Sequence, residues 1–118
     1  HRDLHSFPTR RSSDLILCKQ DKNNHVDLHD ALTKLANKGI TRLLVEGGSK
    51  LSTALINAGL VDQIIRATSP MVIGNQGLDA LNGINIDTLL NSNKFKHLSH
   101  KMLGKDHIDI YTAQPSQI

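Results

Sequence analysis

Between Leu43 and Leu60 the chain reads LLVEGGSKLSTALINAGL, and few architectures accommodate that order. Leu43, Leu44 and Val45 suit a buried strand, while Leu51, Ala54, Leu55 and Ala58 recur at helical spacing. Gly59 stands where a helix stops. Gly47 and Gly48 therefore occupy a strand-to-helix turn, where a missing Cβ lets a ligand approach the main chain. Ser49 is the candidate cap of that helix, whose free amides and positive dipole end attract phosphate. The implied chemistry is anion binding, and a nucleotide is the expected source of the anion. The stretch matches neither G-x-G-x-x-G nor G-x-x-x-x-G-K-[ST]. Ordinary α/β connections also use paired glycines, so the turn alone leaves a ligand-free reading open.

The longer run VEGGSKLSTALINAGLVDQI, continuing to SPMVIG, resembles the C-terminal part of the bacterial riboflavin-biosynthesis reductase domain. The resemblance runs from about Ile16 to Ala113 and is densest from Leu43 to Gly74. It implies a dihydrofolate-reductase-like α/β fold, a mixed sheet flanked by helices, of which this chain holds the C-terminal half. In that family the domain usually follows a zinc-dependent pyrimidine deaminase domain. The resemblance further implies that Glu46 contacts substrate and that Gly47, Gly48, Ser49, Lys50, Leu51, Ser52, Thr53 and Ala54 receive the phosphates of NADPH. First-turn amides and the hydroxyls of Ser49, Ser52 or Thr53 are the candidate donors. Leu51 and Ala54 are expected to pack inward. Glu46 as a purely structural carboxylate and Lys50 as an exposed solubilising lysine are the competing readings.

The reaction so implied reduces 5-amino-6-(5-phosphoribosylamino)uracil to its ribitylamino counterpart, with hydride delivered to C1′ of the opened sugar. The resembled domain self-associates, so a homodimer is expected of the full-length protein, in the cytoplasm. Two alternatives stand beside this reading: another dihydrofolate-reductase-like pterin or pyrimidine reductase, or a non-catalytic nucleotide-binding or subunit-contact module. The proton donor and most pyrimidine and adenosine contacts are expected outside this sequence, so no catalytic acid is assigned.

The first fifteen residues, HRDLHSFPTRRSSDL, carry no apolar periodicity and from His5 onward resemble the conceptual translation of a sequencing adaptor. The expected division is thus a non-native, disordered segment over 1–15 and half of a reductase domain over 16–118. Setting the segment aside leaves 11 basic and 9 acidic residues, a net +2 that argues for no nucleic-acid surface. One cysteine excludes an intramolecular disulfide and fits a reducing compartment. No apolar run approaches the length of a membrane span.

Along the rest, Leu15 to Cys18 reads as the end of a strand. Asp27 caps a helix with apolar positions Leu28, Ala31, Leu32, Leu35 and Ala36, closed by Gly39. Thr41 to Glu46 reads as a strand, followed by the glycine turn and second helix. Gln63 to Thr68 is a third strand, which Met71 to Ile73 extend before a turn at Gly74 to Gly77. Leu78 to Leu90 reads as loop with a helical turn or two. Lys94 to Met102 and His107 to Thr112 form a terminal hairpin around Gly104. His97 and His100, three apart on a strand, are expected on opposite faces. With no Cys-x-x-Cys or H-E-x-x-H nearby, no metal site is expected.

Overall fold

The computed structural model describes residues 15–71 and 80–115. The adaptor-like segment up to Asp14 and the turn at Gly74 to Gly77 lie outside the described residues. The chain divides into two compact units, with the boundary between Leu44 and Val45.

The N-terminal unit is built on helix α1, Leu28–Asn37. Asp27 caps it by accepting the Asp30 N–H at 3.1 Å. Its C-terminus closes with Gly39 N–H donating to the Ala36 carbonyl and Ile40 N–H to the Leu35 carbonyl. Gly39 holds φ +90° there, the left-handed conformation that this closure requires. Both helix ends match the sequence expectation. Leu15 to Cys18 does not form a strand; among the described residues the only pairing nearby is an isolated bridge between Gln20 and Val26.

The C-terminal unit contains α2 (Ser49–Asn57), β1 (Gln63–Thr68), α3 (Ile86–Leu90), β2 (Phe95–Leu103) and β3 (Asp106–Ala113). Helix α2 ends with the same bond pair as α1, Gly59 N–H to Ile56 and Leu60 N–H to Leu55. The described strands form one antiparallel sheet in the order β1-β3-β2. Gly104 and Lys105 make the hairpin turn, with Gly104 at φ +63° and Asp106 already inside β3. Glycine at the first central position suits a two-residue hairpin.

Two expectations fail in this unit or at its border. Thr41 to Glu46 forms no strand. A strand of the buried parallel type is held by neighbours on its edges and faces, and Leu44 remains 71% exposed. The parallel pairs of a mixed sheet are accordingly absent among the described residues. His97 and His100 lie on one face, not two. A bulge between His97 and Ser99 inserts an extra residue, so His97 pairs with Tyr111 and His100 with Asp109. Tyr111 and Asp109 share a face by strand alternation.

The core gathers on that face, towards the end away from the hairpin turn. Leu81, Leu89 and Phe95 are buried together, with Ile56, Val61, Ile64, Tyr111 and Ala113 packed around them. The other face carries Ile65 opposite Ile110 and Ala67 opposite Ile108, and Ile65 stays 57% exposed.

Two predictions follow from these contacts. Phe95→Ala removes the largest buried side chain and should cost about 3 kcal/mol, measured as a fall in the urea midpoint at unchanged slope. In the N-terminal unit, Asp21 accepts main-chain N–H groups of His25 and Asn23, and Asp30 accepts that of Lys19 at 2.8 Å beside Lys34 at 3.2 Å. These bonds hold both carboxyls below their ordinary value of 3.8. Because the folded values are depressed, the stabilisation is present above 3.8 and is lost as pH falls through the lowered values. The His25 and Lys19 amide resonances should move with acid in that window, and Asp30→Asn should abolish the movement at Lys19.

Candidate functional site

The three helices begin differently. Asp27 caps α1 and Asn85 caps α3 by accepting the Thr88 N–H at 3.1 Å. At α2 the N-cap is Gly48, with φ +86° and ψ +96° and no side-chain cap bond. Ser49 is therefore not the cap, as the sequence suggested, but the first helical residue. The two preceding glycines both take positive φ, +68° at Gly47 and +86° at Gly48, which turns the chain into the helix one residue early. The first main-chain bond of α2 runs from Ser52 N–H to the Gly48 carbonyl at 3.0 Å. The amides of Ser49, Lys50 and Leu51 lie ahead of it, as at every helix start.

Space around this turn is open. A Cβ at Gly47 would meet nothing within 4 Å, and one at Gly48 only the Leu51 Cβ at 3.9 Å. Glycine is needed here for its dihedrals and not for clearance. No acidic residue sits in the first turn of α2 to compete with an anion. Lys50 is exposed and forms no ion pair among the described residues. Glu46 is also exposed, next to Gly47. Its expected position at the end of a strand is not found, because residues 41–46 carry no ladder.

The inward face of α2 also differs from expectation. Thr53 and Leu55 are the buried residues, while Leu51 is 45% exposed and Ala54 exposed. The reason lies at Thr53, only 8% exposed, whose Oγ1 accepts the Asn82 N–H at 2.7 Å. That bond ties α2 to the segment leading into α3 with Thr53 turned inward, and Leu51 and Ala54 lie on the exposed side of the same helix. Thr53 thus holds the helix in place, whereas Ser49 and Ser52 are half-buried near its start. The three hydroxyls of SKLST gave no sign of which would be buried. A separate depression of about 350 Å³, lined by Ala80, Leu81 and Gly83 to Asp87, lies before α3 and does not include the glycine turn.

The profile of the RibD C-terminal domain matches residues 3–108. The chain belongs to the RibD C-terminal domain family. That match begins within the segment whose composition resembles an adaptor. A 2,5-diamino-6-ribosylamino-4(3H)-pyrimidinone 5′-phosphate reductase of Methanothermobacter thermautotrophicus is 36% identical over 90 residues, 75% of this chain and 42% of its own length. Riboflavin biosynthesis protein RibD of Actinobacillus pleuropneumoniae is 33% identical over 94 residues, covering 79% of this chain and 25% of that protein. Among solved structures, Acinetobacter baumannii RibD superposes with a TM-score of 0.61 at 23% identity, over 76% of this chain and 26% of that one. This chain therefore spans less than half the length of each of these relatives, from 25% to 42%, and the last likeness shows the fold alone. Among the described residues, no helix of this family member is long and apolar enough to cross a membrane.

The geometry of the turn gives two measurable outcomes. Gly48→Ala forces a Cβ into a left-handed conformation and should destabilise the unit by about 1–2 kcal/mol. Thr53→Val leaves the Asn82 N–H without its acceptor and should cost about 1–3 kcal/mol, while Thr53→Ser restores most of it. Urea unfolding of the three variants against the parent checks both.

Proposed function

We propose that this chain supplies the phosphate-binding turn and a substrate contact of an NADPH-dependent reductase of riboflavin biosynthesis. The observation that carries the reading is the uncapped, open start of α2 in a chain that belongs to the RibD C-terminal domain family. The reductase relative at 36% identity supports the same reaction class. The substrate is a phosphorylated ribosylaminopyrimidine, 5-amino-6-(5-phosphoribosylamino)uracil in the first reading. The name of the archaeal relative favours a second, the 2,5-diaminopyrimidinone 5′-phosphate. The two share the ribosylamino group and the phosphate and differ on the pyrimidine ring.

The residues present fit a dinucleotide diphosphate. Main-chain amides of Ser49, Lys50 and Leu51 and the hydroxyls of Ser49 and Ser52 would hold it at the head of α2. Gly47 and Gly48 would let the phosphate approach the main chain, and Ala54 would line the outward side of the helix. Lys50 would add positive charge. Thr53, with its hydroxyl oxygen already engaged by Asn82, would act by fixing the helix. NADPH supplies the hydride for C1′ of the opened sugar when bound. The part of this chain is then positional: α2 anchors the cofactor end, and Glu46 orients the substrate by accepting hydrogen bonds from it. The complete enzyme is a cytoplasmic homodimer in this reading.

The test uses the protein extended to the length of its relatives. NADPH titration should give saturable binding that Gly48→Ala weakens, while turnover should follow one of the two pyrimidines. Glu46→Gln should lower kcat/KM about 10- to 100-fold, the worth of a charge-assisted hydrogen bond, with NADPH affinity unchanged. Unaltered turnover in that variant would remove Glu46 from the substrate site. Saturable NADPH binding without turnover of either pyrimidine would favour the non-catalytic nucleotide-binding module.

A further inference from the structure

The bulge in β2 assembles a group of side chains for which the reductase reading has no use. On the face shared with the core, towards the hairpin turn, His97 Nε2 lies 2.8 Å from Asp109 Oδ1. Next to it, His100 Nε2 lies 2.9 Å from His107 Nδ1. His100 is the cross-strand partner of Asp109, and His107 lies two residues before Asp109 on the same strand. Without the bulge, strand alternation would send His100 to the opposite face. Both rings of the second pair are exposed, with centroids 5.2 Å apart and planes tilted by 35°.

We propose that His100 and His107 form a two-imidazole chelate for a late first-row divalent cation, with Cu²⁺ the best fit. Imidazole nitrogen is a preferred donor for such ions. Two metal–nitrogen bonds of about 2.05 Å set their nitrogens roughly 2.9 Å apart at a right-angled bite and roughly 3.3 Å at a tetrahedral one. The observed 2.9 Å is the span of the hydrogen bond between the rings, close enough that a turn of both rings reaches either bite, and the Irving–Williams order makes Cu²⁺ the divalent ion that two imidazoles hold most tightly. Among the described residues no three His, Cys, Asp or Glu side chains converge on one point. The protein accordingly contributes two ligands and water completes the coordination.

Proton accounting is simple for the neutral pair. In the contact between the rings, one nitrogen carries the proton and the other offers its lone pair. Binding the ion moves that proton to the far nitrogen of its own ring and frees both facing lone pairs, with no net release. The imidazole rings must also turn from pointing at each other to pointing at a common centre. Their exposure permits that rotation. Asp109, bonded to His97, places a carboxylate beside the pair and favours a cation there. Arg66, the cross-strand partner of Asp109, is drawn away by its ion pair with Asp87 at 2.7 Å.

The test is titration with CuSO₄, at pH 7.5 in a non-coordinating buffer, of the protein extended to the length of its relatives and freed of the adaptor-like residues 1–15, whose His1 and His5 would compete for the ion. Equilibrium dialysis gives the affinity, and imidazole proton resonances identify the ligands. The expected result is that the His100 and His107 resonances broaden first, with EPR hyperfine splitting from two nitrogens. His100→Ala and His107→Ala should each weaken the apparent affinity by about tenfold or more, and His29→Ala should leave it unchanged. Earlier broadening of any other histidine, or parental affinity in both alanine variants, would overturn the assignment. The resonance experiment needs no variant, so it decides the matter even if a substitution disturbs the hairpin.

Discussion

Strand β3 is the constraint on which the C-terminal unit depends. It is the only described strand bonded on both edges, and it joins β1, thirty-eight residues earlier at its nearest end, to the hairpin strand β2. Closing that long connection is entropically unfavourable until side chains pack across it. The compensation comes from one cluster, in which Ile64, Tyr111, Ala113 and Phe95 present a continuous apolar strip to Leu81 and Leu89. Two further main-chain bonds extend the ladder past its last pairs, Ala113 N–H to the Asp62 carbonyl at 2.8 Å and Gln114 N–H to the Lys94 carbonyl at 2.7 Å. The turn that launches α2 is held in register with this sheet by Thr53 and Ile56, which connect the helix to the same cluster.

What was legible in the sequence follows from how far apart the deciding atoms are. Both ends of α1 and the C-terminal end of α2 were readable because Asp27, Gly39 and Gly59 act within four or five residues of themselves. The hairpin was readable because Gly104 fixes its own dihedral and the alternation on either side needs no third strand. Leu15 to Cys18 and Thr41 to Glu46 have the composition of strands, yet a strand exists only beside a partner. None of the described residues provides one, and composition cannot report that. Leu43 and Leu44 remain apolar and exposed, the pattern expected where the neighbours of a larger sheet are missing. The chain's share of its relatives, 42% and 25%, is consistent with that explanation.

The bulge shows the opposite limit. Period-two alternation is a strong rule, but a single inserted residue reverses it for everything beyond the insertion. FKHLSHKML contains no glycine or proline to announce the break at Leu98. The cause is visible only in pairing: His97 meets Tyr111 edge-on with ring centroids 5.0 Å apart and bonds Asp109, while Leu98 has no partner in the ladder. A rule-based reading therefore separated two histidines that the sheet brings together.

The candidate cofactor site balances two costs. A side-chain cap is worth about 1 kcal/mol over alanine at that position, and the sequence places serine within one residue of the position that would provide it. Instead Gly47 and Gly48 occupy the approach, and Ser49 enters the helix with its hydroxyl uncommitted to capping. Glycine at an N-cap costs only a few tenths of a kcal/mol relative to a good cap, so the sacrifice is small. What it secures is a helix start whose amides are not already occupied by their own side chain. The burial of Thr53 adds the complementary requirement, because amides of this kind can discriminate a ligand only if the helix bearing them does not move. A loose helix with free amides would bind anions weakly and in many poses. A fixed one, tied through Asn82 to the segment beside Leu81, presents the same donors in one direction, and in the proposed reading that rigidity is what lets an ordinary glycine turn position a dinucleotide.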